Sequence, residues 1–463
     1  MDETRSTRME RVVRQVQAQE RIPAVSVAVH RADRPLWTFQ VGTSGRDEEP
    51  LELDTRFRMG SITKTFTAVL TLQCRDDGLL ELDDPISVHL KVPAHGELTI
   101  RRLLSHTSGL QREPYGEVWD ALQMPAAEQV LADLVRAERV LPTARRYHYS
   151  NLGMSLLGHL VGRLRGSSWA EAVTDRILSP LGLMSISTAP TERAAVGYLV
   201  DAYSDHARPE PATELDGLAP AGQLWSTAAD LARWAAFLAD PATVDPDGRV
   251  LRASTVEEMR WPRTVTDETS WLAGFGLGLI LMPQPGRVVH VGHDGAMPGF
   301  IASAYGRFGG TGDPAAFAAA ALGSSGTGTG INELVHTLLT VDATEFPAEI
   351  APWLPGEPAP ADLRSVLGRW WSEGFEYIFT WSGGSLHARR ADEAKLKPPS
   401  VFERIPDRPD VLRTRAGGEA GELLHLHRDP ATGAVSSMRW ATYRFTRTQE
   451  TFEGVNPGQD LEA

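Results

Sequence analysis

The sequence predicts an α/β fold, a sheet flanked by helices and interrupted by an all-α insertion, followed by a small antiparallel β-barrel. Three observations predict it. Strand-like runs near the N-terminus and again between 274 and 322 bracket a long helical stretch. Five prolines crowd residues 347–360. Beyond them, short segments of alternating polarity follow one another between tight turns.

Residues 6–20 repeat apolar positions at helical spacing, and Ala24-Val25-Ser26-Val27-Ala28-Val29 reads as a buried strand with a partner around Trp37–Val41. From Ser61 onward Phe66, Val69, Leu70 and Leu72 supply one apolar helical face, and Asp76-Asp77-Gly78 closes that helix. Residues 81–216 form the expected insertion, with long amphipathic helices at 126–140 and 152–166. Thr227-Ala228-Ala229-Asp230 has the form of a capping box opening a helix over 228–239. Strands are expected at 274–281, 287–293, 299–306 and 315–322, with a closing helix at 331–340. A first domain of residues 1–345, a proline-rich linker over 346–361 and a barrel over 362–463 follow. The barrel rests on runs such as Tyr377-Ile378-Phe379-Thr380-Trp381 and Leu423-Leu424-His425-Leu426.

A hydrophobic fraction of 42% and a charged fraction of 23% describe an ordinary globular chain with no membrane-spanning run. The formal charge of -14 disfavours nucleic acid and anionic membranes as partners and leaves a small-molecule or peptide substrate. The start Met1-Asp2-Glu3-Thr4-Arg5 lacks the form of a secretory signal, and a lone cysteine, Cys74, makes no internal disulfide; a cytoplasmic setting is expected. Among 46 basic residues only Lys64, Lys91, Lys395 and Lys397 are lysines. Lysine surrenders a proton when buried and arginine does not, which draws attention to Lys64.

A serine hydroxyl needs a base to attack a carbonyl near neutral pH. Gly60-Ser61-Ile62-Thr63-Lys64 puts Lys64 one helical turn from Ser61 on the same face, and burial beside a positive helix end disfavours the ammonium. Tyr147-His148-Tyr149-Ser150-Asn151 lies before a helix, with Tyr149 88 positions after Ser61. Tyr149 is a candidate base, and Asn151 offers an amide to Lys64 and to a substrate carbonyl, though Ser150 and Asn151 also read as an ordinary helix start. In His290-Val291-Gly292-His293-Asp294-Gly295-Ala296-Met297, Gly295 permits close backbone approach, and the amides of Ser61 and Ala296 are candidates for an oxyanion hole. A glycine-rich hairpin with a structural His293 is the plainer alternative.

In their order and separation these three segments resemble the serine β-lactamase and penicillin-binding-protein group: class C β-lactamases, D-alanyl-D-alanine carboxypeptidases, D-aminopeptidases and related esterases. Leu103-Leu104-Ser105-His106-Thr107-Ser108-Gly109-Leu110 and Gly222-Gln223-Leu224-Trp225-Ser226-Thr227 match as well, and the resemblance spans roughly residues 8–340. It implies an antiparallel sheet of the β-lactamase/transpeptidase type. It also implies Ser61 as nucleophile, Lys64 as its activator, Tyr149 as general base and Asn151 as ligand of substrate and lysine, with no metal or cofactor. Trp225 would either shape the acyl pocket or serve as a structural tryptophan. His293-Asp294-Gly295 departs from the expected Lys-Thr-Gly or His-Thr-Gly, and a carboxylate at Asp294 in the cleft would repel a substrate carboxylate. An ester, an amide without a nearby acid, or a substrate with an amino group is then expected, unless Asp294 points away. The C-terminal segment resembles lipocalin-like barrels appended to relatives of this group.

The expectation is a serine hydrolase of esters or amides acting through an acyl-Ser61 intermediate. Two alternatives stand beside it: an acyltransferase or peptide cyclase of the penicillin-binding-protein-like thioesterase type, and a non-catalytic ligand-binding protein on the same fold.

Overall fold

A computed structural model describes residues 3–45, 49–141, 146–200, 207–310, 317–345, 359–392 and 398–449. The chain divides into two compact units, Met1–Ile350 and Ala351–Ala463. Most of the expected linker, residues 346–358, lies outside the described residues.

Among the described residues, the first unit holds an eight-stranded antiparallel sheet. Its longer strands are β1 (Ala24–His30), β2 (Trp37–Gly42), β3 (Ile280–Gln284), β4 (Val288–Met297), β5 (Phe300–Gly309) and β6 (Phe317–Gly323), in the spatial order β2-β1-β6-β5-β4-β3. Two-residue strands at Gly274–Phe275 and Thr264–Val265 extend the β3 edge. Alternation along each strand sends side chains to two faces. Val25, Val27, Tyr305 and Ala319 face helices α1 (Glu3–Gln19) and α5 (Gly330–Glu345), where Met9, Val13, Leu334 and Leu338 complete the core. Ala28, Ala302, Ala304 and Ala320 face the larger core built around α2 (Thr63–Asp76), α3 (Asn151–Arg165) and α4 (Ala228–Ala239). Small residues on that face let α4 approach closely: a Cβ on Gly306 would lie 2.4 Å from the Ala235 carbonyl oxygen.

Local chemistry sets the ends of these elements. Thr227 caps α4 by accepting from the Asp230 amide, but Asp230 does not return the bond; its carboxylate takes the Ser185 amide and hydroxyl instead. The box is therefore half formed. Gly166, with φ +66°, ends α3 in the left-handed conformation that glycine adopts at no steric cost.

The 81–216 segment departs from the all-α expectation in two places. The helix foreseen over 126–140 is six residues, Ala127–Ala132, followed by a 3-10 turn to Arg136. Residues beyond it pair with the loop after Gly109, through Gln111 N to Glu138 O at 2.9 Å and Val140 N to Gly109 O at 2.8 Å, which removes them from any helix. A hairpin of Tyr198–Val200 with Ala207–Pro209 adds strands to the insertion. The strand expected over 274–281 also breaks, because Leu277 and Gly278 leave the sheet to donate to the carbonyls of Met259 and Leu104.

Among the described residues, the second unit is an eight-stranded antiparallel meander in sequence order, β7 (Gly368–Ser372) to β14 (Tyr443–Phe445). Reciprocal bonds between Trp371 and Thr446 at 2.8 and 2.9 Å bring its two ends together, so the barrel is nearly closed. Trp370, Phe379, Phe402, Leu412 and Trp440 fill its interior. No helix among the described residues is long and apolar enough to cross a membrane.

Candidate active site

Ser61 sits in a 3-10 turn, Gly60–Ile62, that leads straight into α2, so Lys64 lies in the first turn of that helix. The Lys64 ammonium position is 2.8 Å from Ser61 Oγ and 2.7 Å from the carbonyl oxygen of Ala221. Lys64 is 1% exposed, and burial pulls its pKa well below the usual lysine value; Glu113 opposes that shift and Arg112 adds to it. A neutral amine beside a serine hydroxyl can accept its proton.

Tyr149 precedes α3 and hydrogen-bonds to Ser61. Burial pushes its phenol well above the ordinary value, with the Ser61 bond opposing. The phenol is therefore neutral, with a hydrogen to give and lone pairs to accept one. Its position is set from both sides. Ser150 caps α3, accepting from Gly153 N at 2.9 Å and donating to Gln111 O at 2.7 Å. The His106 carbonyl takes the His148 amide at 2.7 Å, while His106 Nδ1 accepts from the Ser150 amide at 3.2 Å. His106, with φ +53° and a ring centroid 4.6 Å from that of Tyr149, is buried and held neutral, its pKa lowered first by desolvation and then by Lys64.

The oxyanion candidates meet through two glycines. Gly60 has φ +52°, and a Cβ there would lie 2.8 Å from Ala296 N; a Cβ on Gly295 would lie 2.0 Å from the Met59 carbonyl oxygen. Only bare backbone lets β4 press onto the Ser61 turn, which sets the Ala296 amide beside that of Ser61. Because β3 pairs with β4 only as far as Gly292, the stretch His293–Met297 presents an open edge on that side. A cavity of about 830 Å³ runs along it, lined by Ser61, Tyr149, Asn151, His293 and Ala296, with Trp119 and Leu215 among its apolar walls.

The remaining site residues come out differently from the sequence expectation. The Asn151 amide group donates to Glu113 Oε1 at 2.6 Å, not to Lys64. His293 donates from Nδ1 to the carbonyl of Asp294, and burial, then Lys64, lowers its pKa to about 3, so it carries no charge. Asp294 lies on the opposite face of β4 from His293. Its carboxylate accepts from Ser303 Oγ at 2.7 Å and Tyr305 OH at 3.0 Å, across the strand pair on the α5 side. It borders the cavity, yet its carboxylate is turned toward Ser303 and Tyr305, the alternative in which it does not repel a carboxylate beside Ser61. Trp225, by contrast, does not line the cavity. It is 2% exposed, pairs through its backbone with Arg58, packs edge-on to Phe300 at 5.5 Å and lies under the Arg58 guanidinium. It is a structural tryptophan.

Three participants escaped the sequence reading: Glu113, Arg112 and the Ala221 carbonyl. Arg112 lies 4.9 Å from the Tyr149 ring centroid, and its carbonyl takes the amides of Asn151 and Leu152 at 2.7 and 3.1 Å. A backbone carbonyl leaves no side-chain signal, and nothing in the spacing of Arg112-Glu113 points to Asn151.

The comparison with known proteins agrees with this architecture. A family model described as Beta-lactamase matches residues 9–312, and the chain belongs to that family, a group of serine hydrolases that includes the penicillin-binding-protein homologues. Residues 359–447 match a domain of unknown function, DUF7586. Penicillin-binding protein 4 of Amycolatopsis lactamdurans is 34% identical over 345 residues, covering 69% of this chain and 86% of that one. The octameric penicillin-binding protein homologue from Pyrococcus abyssi superposes with a TM-score of 0.63 at 20% identity, over 96% of this chain and 100% of that chain. The D-amino acid amidase from Ochrobactrum anthropi SV3, complexed with L-phenylalanine amide, gives 0.62 at 23% identity, over 74% and 99%. At these identities the two structures show a shared fold.

Proposed function

We propose that the protein hydrolyses an ester or amide bond through an acyl-Ser61 intermediate. The observation that carries this reading is the neutral-leaning Lys64 amine 2.8 Å from Ser61 Oγ, with Tyr149 hydrogen-bonded to the same serine. Lys64 takes the Ser61 proton as Oγ attacks the carbonyl carbon. The developing oxyanion accepts from the Ser61 and Ala296 amides. Collapse of the tetrahedral intermediate breaks the bond to the leaving alcohol or amine, which receives the proton through Lys64 and Tyr149. Water then adds to the acyl carbonyl, gives a proton back along the same route, and releases the acid with Ser61 restored. No step requires a metal or an organic cofactor.

The Ala221 carbonyl supports Lys64 in this role. It holds one amine hydrogen, so the lone pair of the neutral amine can turn toward Ser61. The experiment is incubation with a fluorophosphonate and with a nitrophenyl ester, followed by intact mass. One adduct on the native chain and none on Ser61→Ala is expected; equal labelling of the variant refutes the assignment. Product analysis with an added amine nucleophile separates hydrolysis from acyl transfer or cyclisation.

A further inference from the structure

Trp271 and Leu272 follow one another on the surface, each 70% exposed. Single exposed apolar residues are ordinary, but this pair is held out by a built turn. The Asp267 carboxylate accepts from the amides of Ser270, Trp271 and Leu272 at 2.6, 2.9 and 3.1 Å, and from the Ser270 hydroxyl. Trp271 has φ +51°, a left-handed conformation that a bulky side chain rarely adopts. Below the turn, Thr266 N donates to Ala273 O at 2.9 Å and Thr264–Val265 pairs with Gly274–Phe275, so the turn tips a hairpin. Two apolar side chains left in water add little to the fold. Held in one place by four hydrogen bonds, they offer a preorganised contact to something apolar.

The hairpin flanks the Ser61 cavity on its Tyr147 side. Phe275, at the base, lies 5.3 Å ring to ring from Tyr147, which lines the cavity, and Glu268, in the turn, pairs with Arg146 at 2.9 Å. Base and tip are thus both tied to the segment that carries Tyr149. We propose that Trp271 and Leu272 form an outer docking patch for an apolar chain of the substrate, which leaves the cavity beside Tyr147 and lies on the hairpin tip. This rests on the acyl-Ser61 reading and adds a substrate feature to it. Trp119, Leu215, Leu218 and Ile280 already give the cavity apolar walls, so a chain passing outward stays in apolar contact. The size of the patch selects the occupant. Two side chains offer a few hundred Å² at most, whereas a stable protein partner covers roughly 800 Å² on each side. The formal charge of -14 sets an anionic membrane surface aside. A chain gains with every methylene it buries, and does so far from the reacting carbonyl.

The test measures kcat/KM for p-nitrophenyl butyrate and octanoate, and for ethyl and octyl acetate by pH-stat, so that the chain lies first on the acyl and then on the alcohol side. The native chain is compared with the double variant Trp271→Ser, Leu272→Ser, and labelling by a small neutral fluorophosphonate is run alongside. In at least one series the variant is expected to lower the long-to-short ratio threefold or more, with the short ester and the labelling rate unchanged. A smaller change of the ratio in both series, or an equal loss on long and short esters, overturns the docking patch. A native dimer that the variant dissociates in sedimentation, with the ratio unchanged, overturns it too and makes the patch an interface between copies. Absence of labelling on the native chain overturns the acyl-Ser61 reading on which it rests, so the two failures are distinguishable.

Discussion

A Cβ on Gly60 would stand 2.8 Å from the Ala296 amide nitrogen, closer than real Cβ atoms come. The Ser61 turn and the cleft strand are thus in contact through bare backbone. The two amides that would hold an oxyanion owe their proximity to that contact.

Gly295→Ala should therefore uncouple the pair. Its Cβ would meet the Met59 carbonyl at 2.0 Å, and backbone cannot yield as a flexible side chain does. Loss of one oxyanion donor costs roughly 10²–10³ in rate. A slowdown of that size in fluorophosphonate labelling, with an unchanged circular dichroism spectrum, is the expected result; a native rate in a folded variant would refute it.

Lys64 makes two predictions through its lowered pKa. Acylation requires the neutral amine, so the labelling rate should rise with pH through the depressed value and then level off, and Lys64→Arg should abolish it, since arginine stays charged. Stability follows the same sign. Between the folded value and the usual 10.5, the unfolded chain binds a proton that the folded chain does not, so stability increases with pH across that window. Lys64→Met abolishes this proton linkage and should show a flatter rise in urea unfolding as pH climbs toward 10.5.

Trp225 should matter for stability alone. Its ring packs between Phe300 and Arg58, away from the cavity. Trp225→Ala is expected to cost about 3–5 kcal/mol in denaturant unfolding. Trp225→Phe should lose less and leave KM for a nitrophenyl ester unchanged; a large KM change would return this residue to the cleft.

Asp294→Asn separates the two faces of β4. The carboxylate is held by Ser303 and Tyr305, and burial raises its pKa above 3.8. The folded chain holds that proton to higher pH than the unfolded one, so its stability falls as pH climbs through the window above 3.8. The variant should not show that fall. Its labelling by a neutral fluorophosphonate should change by less than about tenfold, since no Asp294 oxygen faces Ser61.

How much of this was legible beforehand varied with the range of the contact involved. The Ser61–Lys64 relation needs only a helical turn, and α1, α2, α4, β1 and β2 follow from periodicity over a few residues. The alternation of β4 already separates His293 from Asp294, and that signal was available in the sequence. Which face meets the cleft was not, because it depends on α2 and α5 covering opposite sides of the sheet. The shortened helix at Ala127–Ala132 shows the same limit: pairing with the Gly109–Gln111 backbone outweighed an amphipathic pattern.

By itself the sequence determined the fold class, through the order of its strand-like and helical segments, and the one-turn spacing of Ser61 and Lys64, which needs only local helical geometry. The tertiary structure alone decided that Glu113 turns the Asn151 amide, that the Asp294 carbonyl sets the His293 tautomer, and that Trp225 is buried away from the cavity. The first and last of these depend on groups that meet across tens to hundreds of residues, where periodicity carries no information about the pairing, and the second, a bond between neighbours, on the ring orientation that burial imposes.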